Sequence, residues 1–108
     1  MNRITTLNEY NNLINSPGTH IIKVSASWCN PCKTLSANIE QLEDSIKNLC
    51  VEVDADEAED SLIAKLNVRN VPVLIFYYDG AEYRRLVGLN ALEEILSIIK
   101  LGNKDGQS

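Results

Sequence analysis

The sequence predicts an α/β protein whose central mixed β-sheet, of four to five strands, carries helices on both faces. Three features predict it. Short continuous apolar runs alternate with longer segments whose apolar residues fall at helical spacing. Two of the runs read as buried strands: residues 21–24, buried on both faces, and residues 49–55. An Asp-Gly pair, Asp79-Gly80, joins two further strand-like runs and reads as a hairpin turn. The 108 residues fit a single domain spanning 1–108.

Each element has its own reason. Thr6-Leu-Asn-Glu9 fits a capping box, and Leu7, Tyr10, Leu13 and Ile14 then follow helical spacing until Ser16-Pro-Gly-Thr19 ends the helix. The strand at 21–24 has one anomaly, Lys23. After Trp28-Cys-Asn-Pro-Cys32, the apolar positions Leu35, Ile39, Leu42 and Ile46 mark one long amphipathic helix. The strand at 49–55 closes in an acidic turn, and 61–67 reads as a short helix with Leu62, Ile63 and Leu66 on one face. Residues 73–78 and 82–87 form the hairpin. Leu92, Ile95, Leu96, Ile98 and Ile99 build a last helix, and 102–108 reads as a flexible polar tail. Strand–helix–strand units imply parallel pairing, and the hairpin adds an antiparallel edge.

Composition excludes several functions. The formal charge is −5, and the ten basic residues are scattered, so no nucleic-acid surface is expected. The densest charge run, Asp54-Ala-Asp-Glu-Ala-Glu-Asp60, reads as a solvated turn and helix start. The longest apolar stretch, 71–78, contains a proline and is too short for a membrane span. Met1-Asn-Arg-Ile-Thr-Thr is followed by polar residues, so no secretory leader and a cytoplasmic location are expected. Three cysteines are too few for a disulfide scaffold and odd in number, which in a reducing compartment points to redox or metal chemistry.

A Cys-x-x-Cys pair alone is open between a zinc half-site and a redox couple. Structural zinc needs four ligands. The other candidates, Cys50 and His20, fall on separate predicted strands, which disfavours zinc. The redox reading gives each position a physical reason. Cys29 lies where a strand ends and a helix begins, so unpaired backbone N–H groups and the helix dipole stabilise its thiolate. Each pH unit of depression corresponds to about 1.4 kcal/mol. Pro31 suits the first helical turn and stiffens the loop. Cys32, one turn inside, is shielded and poised to attack a mixed disulfide on Cys29. Trp28 is expected to cover the site, with Lys33 leaving positive charge nearby.

The segment Ala26-Ser-Trp-Cys-Asn-Pro-Cys-Lys33 resembles the active-site motif of the thioredoxin family, usually Trp-Cys-Gly-Pro-Cys-Lys. Val71-Pro72 resembles the family's cis-proline loop, Asp79-Gly80 its hairpin turn, and Val87-Gly88 its partner-contacting glycine. The match runs from about residue 5 to residue 100. This resemblance implies the thioredoxin fold and a monomeric protein-disulfide reductase. Cys29 would be the exposed nucleophile and Cys32 the resolving thiol. Trp28, Asn30, Pro31, Val71, Pro72, Gly88 and Leu89 would line a shallow polypeptide groove. It also implies no bound cofactor beyond the redox-active disulfide. Electrons would come from NADPH through a flavin-dependent thioredoxin reductase. The implied substrates are disulfide proteins such as ribonucleotide reductase or a peroxiredoxin.

The sequence departs from the family at several positions. Asn30 replaces the usual glycine, where its side chain would reach a sulfur or a substrate backbone and shift the redox potential. Lys23 stands where a buried aspartate is usual, and placing Asp54-Ala-Asp56 on the family's Asp-x-Asp pattern puts Glu52 at a customary lysine. The pair therefore reads as reversed, Lys23 with Glu52, because a lone buried lysine is costly and a partner offsets it. Glu52, or neutral Lys23, would then relay the proton of Cys32. Ala37 replaces a helix-kinking proline and Ser25 an aromatic, both matters of packing. Cys50 reads as a small buried hydrophobe and His20 as a strand-edge residue.

Three rival functions remain at this level: glutaredoxin-like activity driven by glutathione, disulfide-isomerase-like exchange, and a redox-independent binding subunit of a larger complex. Glutaredoxins usually carry Pro-Tyr between the cysteines and a later Gly-Gly, and neither is present here.

Overall fold

The computed structural model describes residues 1–89 and 92–107. In chain order the elements are β1 (Asn2–Arg3), α1 (Leu7–Asn15), β2 (Thr19–Ser25), α2 (Asn30–Glu40), α3 (Asp44–Lys47), β3 (Cys50–Asp54), α4 (Asp60–Leu66), β4 (Val73–Tyr78), β5 (Ala81–Val87) and α5 (Leu92–Gln107). The five strands lie in the order β1-β3-β2-β4-β5. β1 and β2 run parallel to β3, while β4 is antiparallel to both β2 and β5. This is the mixed sheet with an antiparallel edge that the element order implied.

Alternation along β2 divides the interior in two. Ile21 packs with Leu35 and Ile39 of α2, with Ile95, Ile98 and Ile99 of α5, and with Leu74 and Phe76 of β4. Ile22 and Val24 turn the other way and pack with Tyr10 of α1 and with Leu62 and Leu66 of α4. A strand's side chains point to opposite faces in turn, so Lys23 shares the α2 face with Ile21.

Local chemistry sets the ends. Thr6 accepts the Glu9 N–H at 3.1 Å while the Glu9 carboxylate accepts the Thr6 N–H at 3.2 Å, which closes the expected capping box. The hairpin turn places Asp79 and Gly80 at φ 48° and 86°. A Cβ at Gly80 would also come within 3.2 Å of the Ile14 carbonyl, so the turn requires glycine both by dihedral and by space.

The structure departs from the sequence reading at three places. The long helix after the cysteine motif is broken: α2 stops at Glu40 and α3 begins at Asp44. The Gln41 N–H already bonds the Asn38 and Ile39 carbonyls, tightening the last turn, and Glu43 is extended at ψ 149°. Leu42 and Ile46 still reach the core, so the apolar spacing records packing without recording the break in the backbone. The second correction is β1, which the sequence did not announce; two residues offer no period to detect. Helix α5 runs to Gln107, through 102–107, where a polar tail was read from the sequence.

Thr6→Ala removes the acceptor for the Glu9 N–H. It is expected to cost about 1 kcal/mol, seen as a lower midpoint of urea unfolding at unchanged slope.

Candidate active site

Strand β2 ends at Ser25 and helix α2 begins at Asn30, which makes Cys29 the N-cap residue. Its backbone is extended, at φ −92° and ψ 108°, and its Sγ accepts the Cys32 N–H at 3.2 Å. A cap position normally holds an oxygen acceptor for the helix's unsatisfied N–H groups. Here sulfur takes that place. Pro31 lies in the first turn, where its missing N–H removes nothing from the ladder. Cys29 and Cys32 form a disulfide with their Cα atoms 5.3 Å apart.

Ala26 and the half-buried Val71 pack against the disulfide. The Val71-Pro72 peptide is cis, as the resemblance implied. Gly88, at φ 89°, donates its N–H to the Pro72 carbonyl at 2.8 Å and so ties the end of β5 to this loop. Asn30 and Pro31 are exposed at the start of α2, Pro72 is buried, and Leu89 is exposed.

The expected exposed nucleophile is corrected. Cys29 is 4% exposed and Cys32 2%. The disulfide holds the two sulfurs against one another, and Val71 lies on the pair. Trp28 keeps 70% of its surface exposed. Its indole N–H donates to Asp56 Oδ2 at 3.1 Å, and with Val71 it lines a cavity of about 320 Å³ floored by Val24, Ile63 and Val68. Asp56 is exposed in a turn, as the acidic run was read, but its bond to Trp28 was not foreseen. The turn is held by Asp54 Oδ1, which accepts the Asp56 N–H at 2.9 Å.

On the other side of the disulfide lies a cavity of about 260 Å³ lined by Cys32, Ser25, Lys23, Glu52 and Asp54, among others. Lys23 and Glu52 form the reversed pair expected from the sequence, with Nζ 2.8 Å from Oε2. The lysine side chain is 1% exposed and the glutamate 16%. Arg3, which sequence analysis did not single out, reaches the other oxygen, with Nη2 2.7 Å from Oε1. Burial alone pushes the Glu52 carboxyl up; bonds from Lys23 and Arg3, the Lys23 charge and a bond to Ser25 outweigh it and hold the group down at about 2. A carboxylate held so low is a weak base, so direct uptake of a thiol proton by Glu52 works against this clamp.

Cys50 is buried, with its Sγ 3.7 Å from the Ile46 carbonyl, and burial pushes its thiol up to about 11. It behaves as the small hydrophobe expected. His20 Nε2 lies 3.1 Å from the Ser16 carbonyl, away from the cysteines in the fold. Among the described residues no group of three or more His, Cys, Asp or Glu could hold a metal ion, and no helix is long and apolar enough to cross a membrane.

A disulfide capping a helix N-terminus, backed by a cis-proline loop, is the centre of a thiol–disulfide oxidoreductase. The Thioredoxin family model matches residues 2–101. A thioredoxin from Coprinus comatus is 35% identical over 98 residues, covering 86% of this chain and 92% of its own. The X-ray structure of Fasciola hepatica thioredoxin superposes with a TM-score of 0.82 at 27% identity, covering 94% and 99% of the two chains. A chain solved in work on thiol resolution in yeast mitochondrial 1-Cys peroxiredoxin via glutathione/thioredoxin systems gives a TM-score of 0.82 at 25% identity, covering 93% of each. The chain belongs to the thioredoxin family, and it is a protein-disulfide reductase.

The depressed Glu52 carboxyl sets a pH dependence. A group held below its ordinary value of 4.5 adds stability that is present above that value and is lost as pH falls toward about 2. Glu52→Gln is therefore expected to be less stable than the wild type near neutral pH, with Lys23 left without its carboxylate. It should also lose less further stability through this acid window. Urea unfolding of both proteins across the window checks the difference.

Proposed function

We propose that this reductase works as a cytoplasmic, monomeric electron carrier. Electrons from NADPH reach it through a flavin-dependent thioredoxin reductase and pass to disulfide proteins such as ribonucleotide reductase or a peroxiredoxin. The observation that carries the redox reading is the Cys29 sulfur serving as helix cap, 3.2 Å from the Cys32 N–H. In the reduced protein the same N–H and the helix dipole favour the Cys29 thiolate.

Reduced Cys29 attacks one sulfur of the substrate disulfide, and the other substrate sulfur leaves as a thiolate. Cys32 then loses its proton and attacks Cys29 Sγ. The mixed disulfide breaks, the Cys29–Cys32 bond forms, and the second substrate sulfur departs and is protonated. Two electrons have moved from the dithiol to the substrate. The two sulfurs are both the electron store and the reactive groups, so this chemistry calls for no bound cofactor. Lys23 and Glu52 act on Cys32 from the shared cavity.

Substrate approach is assigned to the exposed apolar surface beside the site. Trp28, Val87 and Leu89 are large hydrophobics left 70%, 64% and 53% exposed, and Gly88 between the last two is bonded to the Pro72 loop. A substrate chain docking across Trp28, Asn30, Pro31, Val71, Pro72, Gly88 and Leu89 covers this patch and brings its disulfide to the 4% of Cys29 that is open. A peroxiredoxin substrate is supported by the yeast mitochondrial relative's setting, the glutathione/thioredoxin systems. A reducing compartment agrees with the unpaired, buried Cys50.

Cys32→Ser is expected to stop turnover and to trap a substrate on Cys29 as a mixed disulfide, visible as added mass that dithiothreitol removes. Cys29→Ser should trap nothing. If the variant with both cysteines changed to serine still replaces the wild type in the cell, the protein acts there as a binding subunit and not as a reductase.

A further inference from the structure

The registers of the first three strands in the sheet bring three charges into one row. Arg3 of β1 pairs with Glu52 of β3, and Glu52 pairs with Lys23 of β2. The row alternates in sign from solvent to interior, with side chains 46%, 16% and 1% exposed. All three line the cavity that Cys32 lines. The other charged groups on this cavity are Asp54 of β3, Glu57 of the following turn and Lys33 of α2.

Two charges alone would form a neutral pair under Cys32. Arg3 changes this, because it balances Glu52 from the solvent side. Glu57 in turn meets Arg3, at 3.1 Å, but its side chain is 56% exposed and its charge is screened by water. Asp54 opposes the lysine and is the same whether or not Arg3 is present, so the sign of the Arg3 contribution does not depend on it. We infer that Arg3 is a positioning residue for the resolving step: by neutralising Glu52 from outside, it leaves the buried Lys23 ammonium as the charge that favours the Cys32 thiolate.

This rests on Cys32 resolving the mixed disulfide, as proposed above. Cys32 gives its proton to solvent through the cavity, and the thiolate then displaces the substrate sulfur from Cys29. A positive charge near Cys32 lowers the pH at which that proton leaves. It also speeds the step at neutral pH.

The test uses the full chain with Arg3→Gln and Arg3→Lys. Two readouts are needed: the 13Cβ shift of Cys32 in the reduced protein as a function of pH, and the rate of substrate release from a preformed mixed disulfide on Cys29. Arg3→Gln is expected to move the Cys32 titration upward and to slow release at neutral pH roughly two- to fivefold, the range of a partly exposed charge. Arg3→Lys keeps the charge and should behave as the wild type. An Arg3→Gln protein that titrates and resolves like the wild type overturns the inference. So does an Arg3→Lys protein displaced as far as Arg3→Gln, because geometry and not charge would then be responsible. A wild-type protein whose mixed disulfide persists with Cys32 intact would instead remove the resolving step itself.

Discussion

Helix α2 begins with backbone N–H groups that have no helical partner, and in this protein a sulfur satisfies one of them. Most of the site follows from that substitution of sulfur for oxygen. Cys29 has to be extended to be a cap, and it lies just past the C-terminal end of β2, the central strand of the sheet. Cys32, three positions on, then lies beneath it within disulfide reach. Pro31 fits only because the first turn wastes no donor. The helix itself is held by Leu35 and Ile39, fully buried against β2 and β4, so the N-terminus and its two sulfurs cannot drift from the sheet.

The sheet's second contribution is electrostatic. A lysine buried to 1% at the centre of a sheet carries a large desolvation cost, and Glu52 offsets it only because parallel pairing puts the two side by side. The glutamate is itself stabilised from the far side by Arg3. The buried lysine is the costlier of the two to leave unpartnered, at 1% exposure against 16% for the glutamate, which also has Arg3.

Around the sulfurs, two irregular segments do what regular structure cannot. The cis Val71-Pro72 loop lays Val71 on the disulfide, and the Gly88 N–H reaches back to the Pro72 carbonyl to hold the loop to β5. The acidic turn after β3 orients Trp28 through Asp56. Either side of Gly88, Val87 at the end of β5 and Leu89 beyond it leave large apolar side chains open to solvent.

The sequence by itself determined what depends on local period and local chemistry. The capping box at Thr6, the Asp-Gly turn, the burial of β2 and β3 and the redox pair were legible from spacing and local chemistry, while Glu52 was matched to the costly Lys23 through the resemblance to the thioredoxin family. Tertiary structure alone decided the rest. A two-residue strand has no period, so nothing in Asn2-Arg3 foretold that Arg3 would stand in register with Glu52. The break between α2 and α3 left no trace in the apolar spacing, since Leu42 and Ile46 face the core on either side of it. The acidic run looked like a solvated turn because charge density says nothing of which carboxylate meets Trp28. Burial of Cys29 to 4% was likewise invisible, for Val71, which packs against the cysteines beside Ala26, lies far along the chain and arrives only when the sheet is assembled.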